Sequence, residues 1–141
     1  MPKHDLEVMH ISGESVHPGD NNIIQLPMPQ LYECSPMYMP IYVVRDKKPG
    51  PTLLLTAAIH GDELNGVEII RRILKVKTLK QLAGTLIAVP IANVYGFLYQ
   101  SRYLMDPRFE SLFSWKQWWF DCSEFGAHVV NRGSGSCQPC D

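Results

Sequence analysis

The chain is short of cysteine, of net charge and of long apolar runs, and each shortage removes a class of function. A formal net charge of −1 over 141 residues leaves no electrostatic footprint for nucleic acid or for an anionic membrane. Its basic residues gather only at Arg71, Arg72, Lys75, Lys77 and Lys80, which read as the solvated end of a helix. No stretch reaches the roughly 18 apolar residues that span a bilayer, and Met1 to Met9 lacks the basic and apolar regions of a secretory signal. A soluble cytoplasmic protein is expected. Four cysteines, Cys34, Cys122, Cys137 and Cys140, are too sparse and uneven for a secreted disulfide framework. Cys137 and Cys140 make a CxxC pair, but one pair alone has no tetrahedral zinc set to join. It sits beside Gly133, Ser134, Gly135 and Ser136 and reads as a disordered end.

What remains is enough for one domain with one sizeable core. Residues 1–39 are rich in Pro, Gly, Asn and Met, which predicts an irregular leader with short extended pieces such as Ile23 to Leu26. Pro40 to Val44 predicts a strand, closed by the turn Lys47, Lys48, Pro49, Gly50. Thr52 to Ile59, TLLLTAAI, is apolar without alternation, as a central parallel strand covered on both faces should be. Asp62 stands where an N-cap would, and Leu64, Val67, Ile70, Ile73 and Leu74 repeat at helical spacing, so a helix is predicted from about Glu63 to Lys75. After a connector around Thr78 to Gly84, Thr85 to Val89 predicts a second buried strand. Strand, helix and strand make a right-handed crossover, and the class is α/β. After Asp106 the composition changes: the last 35 positions hold all three tryptophans and three of the four cysteines, and show no strand or helix period.

His60, Gly61, Asp62 and Glu63 fall between the first buried strand and its helix. In an open α/β sheet that is the carboxyl end of the strand, where ligand sites collect. A catalytic zinc takes a few nitrogen or oxygen ligands and keeps one position open, and a His with a Glu three residues on converge when one ends a turn and the other starts a helix. Gly61 lets the backbone bend between them. Each residue also has a purely structural role open to it. His60 at a strand end needs only a hydrogen bond, Glu63 in a first turn complements the helix dipole, and Asp62 serves as a cap or as an orienter of His60.

The stretch GPTLLLTAAIHGDELNGVEIIRRIL resembles the zinc-site segment of the succinylglutamate desuccinylase and aspartoacylase family, a branch of the zinc carboxypeptidase superfamily. VPIANVYGFLYQSRYLMD, from Val89 to Asp106, resembles the family's next block, a Pro-x-x-Asn turn and a Gly-Phe leading to Ser-Arg-Tyr-Leu. The similarity covers about Met39 to Asp106, so residues 40–106 are expected to be the amino-terminal part of a zinc-hydrolase α/β domain, an incomplete mixed sheet with flanking helices. The resemblance implies that His60 and Glu63 are two of three zinc ligands, and that Asn93 and Arg102 shape the floor of the site. For those two, a turn amide and a surface or ion-paired arginine are the structural alternatives. The implied reaction is zinc-dependent hydrolysis of the amide bond in an N-acyl amino acid or a similar small substrate. The family's third ligand, a histidine, and its catalytic glutamate are expected further downstream. Neither His128 nor Glu124 fills those roles, so no catalytic residue is assigned.

The resemblance then stops. The family continues into Arg-Asp-Leu-Asn-Arg and Phe-Pro-Gly, where the Asn-Arg pair is associated with the substrate carboxylate, whereas this chain continues Pro107, Arg108, Phe109, Glu110, Ser111, Leu112, Phe113, Ser114, Trp115. Pro107 to Lys116 can be encoded as CCG CGA TTT GAA TCG CTG TTT TCC TGG AAG. Starting one base later, the same bases translate as Arg-Asp-Leu-Asn-Arg-Cys-Phe-Pro-Gly. Residues 107–141 are therefore expected to be an out-of-frame, poorly ordered tail, and the domain to be truncated and weakly active or inactive. Two other readings stay open: a non-catalytic α/β binding module that uses His60, Asp62 and Glu63 as cap and hydrogen-bond groups, and a gene remnant without function. The sequence carries no signal of oligomeric state.

Overall fold

The computed structural model describes residues 8–28, 36–102 and 127–129. Two small strands, β1 (Met9–Ile11) and β2 (Glu14–Val16), pair antiparallel. A five-stranded sheet follows, formed by β3 (Asn21–Met28), β4 (Met37–Arg45), β5 (Thr52–Thr56), β6 (Thr85–Val89) and β7 (Ala127–Val129) in the order β3-β4-β6-β5-β7. β3 with β4 and β4 with β6 are antiparallel, while β5 runs parallel to both β6 and β7. Helix α1 (Asn65–Ile73) and a 3-10 turn (Lys77–Gln81) make the crossover from β5 to β6, and a short α2 (Val94–Leu98) follows β6. The sheet is mixed and the class is α/β, as expected.

The apolar runs explain the layering. All five residues of β6 are buried, because core packs on both of its faces. On one face Leu54, Ile87 and Val89 meet Ile24, Met39, Ile41, Val43, Ala92 and Tyr95, with Val16 of the small hairpin sealing the cluster. On the other face Ala57, Ile70 and Ala88 pack with Tyr42, Leu55, Val67 and Leu74. Full burial of a side chain such as Leu54, which is 0% exposed, contributes about 1.5–3 kcal/mol. α1 turns its other side to solvent, where Glu68 pairs with Arg71 and Arg72. Beyond the end of α1 the helical face borders a groove of about 940 Å³, lined by Ile23, Pro40, Tyr42, Val44, Leu74 and Leu79 among others.

Three expectations need correction. The leader is not irregular within its described part, residues 8–28, since β3 is an eight-residue strand of the main sheet and pairs with β4 from Asn21↔Val44 to Met28↔Met37. Prolines concealed it. Among the described residues, Pro27, which lacks an N–H, lies in an edge strand, and Pro40 lies in β4 where only β3 pairs with that strand, because β6 pairs only with Tyr42 to Arg45. α1 is also shorter than predicted: it starts at Asn65 with Leu64 in the capping position and no side-chain cap, so Asp62, exposed, is not the N-cap. The third correction is β7, a strand in the region that showed no strand period, where Ala127, His128 and Val129 pair with Thr52, Leu53 and Leu54. The remainder of the expected tail, the tryptophans and the CxxC pair lie outside the described residues. Among the described residues, no helix is long and apolar enough to cross a membrane.

Candidate functional site

The site begins where β5 and β6 stop. Their pairing continues past the strand ends: Ala57 N–H donates to Val89 O at 3.0 Å, Ala92 N–H to Ala57 O at 2.9 Å and Asn93 N–H to Ala58 O at 2.9 Å. Ala58 then takes a left-handed conformation, φ +49°, which costs an L-residue about 1–2 kcal/mol and turns the chain out of the sheet. The next turn is closed by Glu63 N–H donating to His60 O at 3.1 Å. That one turn brings the two candidate ligands of the sequence together.

Gly61, between them, has a packing duty besides its flexibility. A Cβ added there would stand 1.9 Å from the Gly96 carbonyl carbon and 2.4 Å from Phe97 N, so only a glycine lets this loop lie on the backbone of α2. α2 is fixed at both ends. At its start the buried Asn93 side chain accepts a hydrogen bond from Gly96 N–H at 2.8 Å. At its end Gln100 is left-handed, φ +49°, while Gln100 N–H donates to Phe97 O at 3.2 Å and Ser101 N–H to Gly96 O at 2.8 Å. This pair of bonds is the Schellman stop, here with glutamine where glycine is usual. Tyr95, 5% exposed, anchors the middle of α2 in the core, and burial raises its phenol pKa.

The Schellman turn sends the chain back over the loop and delivers Arg102. Its carbonyl oxygen lies 3.3 Å from His60 Nδ1, and its guanidinium Nη1 lies 3.3 Å from Glu63 Oε1. A carbonyl oxygen only accepts, so Nδ1 carries the hydrogen in this contact. The ion pair is half-exposed, with 49% and 56% of the Arg102 and Glu63 side chains open to solvent. The structure therefore brings His60, Glu63 and Arg102 together. It leaves Asp62 exposed beside them and commits the Asn93 oxygen to capping α2.

An imidazole nitrogen and a carboxylate oxygen are both donor types that zinc accepts. Among the described residues, no group of three His, Cys, Asp or Glu is placed to hold a metal ion.

A family model described as succinylglutamate desuccinylase/aspartoacylase catalytic domain matches residues 49–110, which include His60, Glu63, Asn93 and Arg102. That segment is similar to this family's catalytic domain. A solved succinylglutamate desuccinylase/aspartoacylase from Rhodobacter sphaeroides is 25% identical with a TM-score of 0.52, over 62% of this chain and 27% of its own. The product-bound ectoine utilization protein EutE (DoeB) from Ruegeria pomeroyi is 25% identical with a TM-score of 0.55, over 76% of this chain and 32% of its own. A succinylglutamate desuccinylase from a Silicibacter species, 24% identical with a TM-score of 0.53 over 77% of this chain and 32% of its own, shares the fold. The chain thus spans about a third of the length of these structures or less. No curated protein matches it.

Sequence reasoning named these site residues but missed what joins them. α2 and its Schellman stop were not predicted, nor was the closure of Arg102 onto Glu63. The available signal was Asn93-x-x-Gly96, a cap followed by the one residue that accommodates the cap's side chain. A Cβ at Gly96 would meet the Asn93 amide at 2.6 Å.

Proposed function

We propose that this chain carries the amino-terminal part of the zinc site of a cytoplasmic deacylase that hydrolyses the amide bond of N-acyl amino acids, with His60 and Glu63 as two of the metal's ligands. The observation that supports this reading is the turn at the carboxyl end of β5, where the Glu63 N–H to His60 O hydrogen bond sets both residues in one turn, inside the segment matched by the family model. Bound there, zinc would supply Lewis acidity toward an amide carbonyl and a nucleophile at neutral pH. The residues of the chain contribute position. β5 and β6 hold the loop through backbone bonds, Gly61 lets it rest on α2, and Asn93 fixes α2 by capping it. Arg102 adds a cation at the rim, suited to an anionic or carbonyl oxygen of a small substrate. The third ligand and the general base that hydrolysis requires belong to downstream sequence, so the chain by itself is expected to be weakly active or inactive.

The same proposal includes an out-of-frame tail. The family match ends at residue 110, four residues beyond Asp106, and the one-base shift from Pro107 restores an Asp-Leu-Asn-Arg run. β7 is compatible with that origin, since a strand edge recruits a neighbour through backbone groups without regard to side-chain identity. Sequencing the gene across the Asp106 codon tests the frame, and an alternative frame without Asp-Leu-Asn-Arg refutes it. Zinc-dependent hydrolysis of N-acyl amino acids by the frame-restored protein, abolished by Glu63→Ala, is the outcome expected for the site. Full activity of that variant would overturn the assignment.

A further inference from the structure

We propose that Arg102 is an internal stand-in for the divalent cation: its guanidinium engages Glu63 while its carbonyl accepts from His60 Nδ1, so that metal binding at Glu63 must displace the guanidinium. The inference rests on the reading of these two residues as metal ligands. Arg102 offers two different groups in two directions. Its positive guanidinium faces the Glu63 carboxylate at 3.3 Å, where a metal's charge would sit, and its carbonyl takes up His60 Nδ1 at 3.3 Å. One residue thus meets the charge need of the acid and the hydrogen-bond need of the imidazole.

The surrounding backbone argues that this closure is built into the fold. Arg102 follows directly on the Schellman turn, whose two hydrogen bonds tie Gln100 and Ser101 to α2, and α2 lies against the loop through the close approach of Gly61 to Gly96. Residues 60, 63 and 102 therefore belong to one connected unit, and the loop reaches a satisfied state without metal. The electrostatic demand explains why this is useful. A carboxylate held at a strand mouth for a cation invites adventitious ions, whereas a tethered guanidinium neutralises it for the rotamer entropy of one side chain. Being half-exposed, the pair is also weak enough to yield.

The test uses the 141-residue chain and zinc alone, titrated against a chromophoric chelator, with Cys137 and Cys140 replaced by serine throughout to remove the CxxC pair. Arg102→Gln keeps the backbone carbonyl and most of the side-chain stem while deleting the charge. It is expected to bind zinc roughly 1.5- to fivefold more tightly than the parent, the range set by a half-exposed ion pair. The gap between the two should narrow as salt is raised, because screening weakens the pair in the parent. Adding Glu63→Ala to the Arg102→Gln chain should reverse the gain. Equal zinc affinity of parent and Arg102→Gln, with Glu63→Ala still weakening both, overturns the stand-in role while leaving the ligand assignment intact. No effect of Glu63→Ala in either background overturns the ligand assignment itself. The nitrogen chemical shifts of the His60 ring give a readout independent of affinity: Nδ1 should be protonated in the metal-free parent and change on zinc addition, and an unprotonated Nδ1 in the metal-free chain contradicts the proposal.

Discussion

Gly61→Ala is the perturbation that bears most directly on how the site is held. The new methyl carbon would lie 1.9 Å from Gly96 C, 2.1 Å from Gly96 O and 2.4 Å from Phe97 N, all backbone atoms. Ordinary contact begins near 3.4 Å, so α2 and the loop must separate by about 1.5 Å at this point. A flexible side chain could swing aside, but a peptide group moves only with its helix. α2 is pinned by the Asn93 cap and by Tyr95 in the core. Overpacking a core with extra carbon costs about 1–3 kcal/mol, and the rigidity of both partners puts this case at about 3 kcal/mol. Separation also withdraws Arg102 from His60 and Glu63. Since small domains have only about 5–15 kcal/mol in total, the urea midpoint should fall by a large fraction. Gly13→Ala is the control: nothing lies within 4 Å of its added carbon, so its φ of +81° alone should cost about 1–2 kcal/mol. A Gly61→Ala midpoint equal to that of the parent would refute the close packing of loop and helix.

Other consequences can be measured on the same chain. Leu54→Ala, at a fully buried position in the central parallel strand, should cost about 2–5 kcal/mol in urea unfolding, and a loss below 1 kcal/mol would mean the strand is not central. Gln100→Gly should raise stability by about 0.5–1 kcal/mol, because glycine relieves the left-handed strain of the Schellman turn at some cost in unfolded-chain entropy, and a destabilised variant would argue against that turn. Hydrogen bonds from Arg71 and Arg72 hold the Glu68 carboxyl down at about 2, against an ordinary 4.5. The stabilisation from this acid is therefore present above about 4.5 and is lost as pH falls toward about 2. As the Glu68 side chain is substantially exposed, 43%, the effect should fade in high salt, and a Glu68→Gln chain whose acid melting curve parallels that of the parent would refute it.

The parts legible in the sequence were those governed by local, repeated physics. TLLLT and TLIAV read as buried strands because no polar residue interrupts them, and β6 has the predicted bounds, Thr85–Val89. The candidate site stood out because His60 and Glu63 flank the turn that follows such a strand. What stayed hidden depended on partners distant along the chain. β3 is acceptable as a strand despite Pro27 because β4 covers one edge and, among the described residues, no strand pairs with the other. The start of α1 was misplaced because Asp62 looks like a cap, while the close approach of Gly61 to Gly96 carries the chain past it before the helix begins. Arg102 lies 42 residues from His60, and only the unpredicted reversal after α2 unites them.

The rungs joining Ala57 and Ala58 to Ala92 and Asn93 have an implication for anyone who would transplant this site. They fuse the connections after two neighbouring strands into one stiff platform, so that the histidine turn and the asparagine turn cannot swing independently. A graft that carried the His60–Glu63 loop onto a foreign sheet without its Ala92–Asn93 counterpart would deliver the right chemical groups on a hinge.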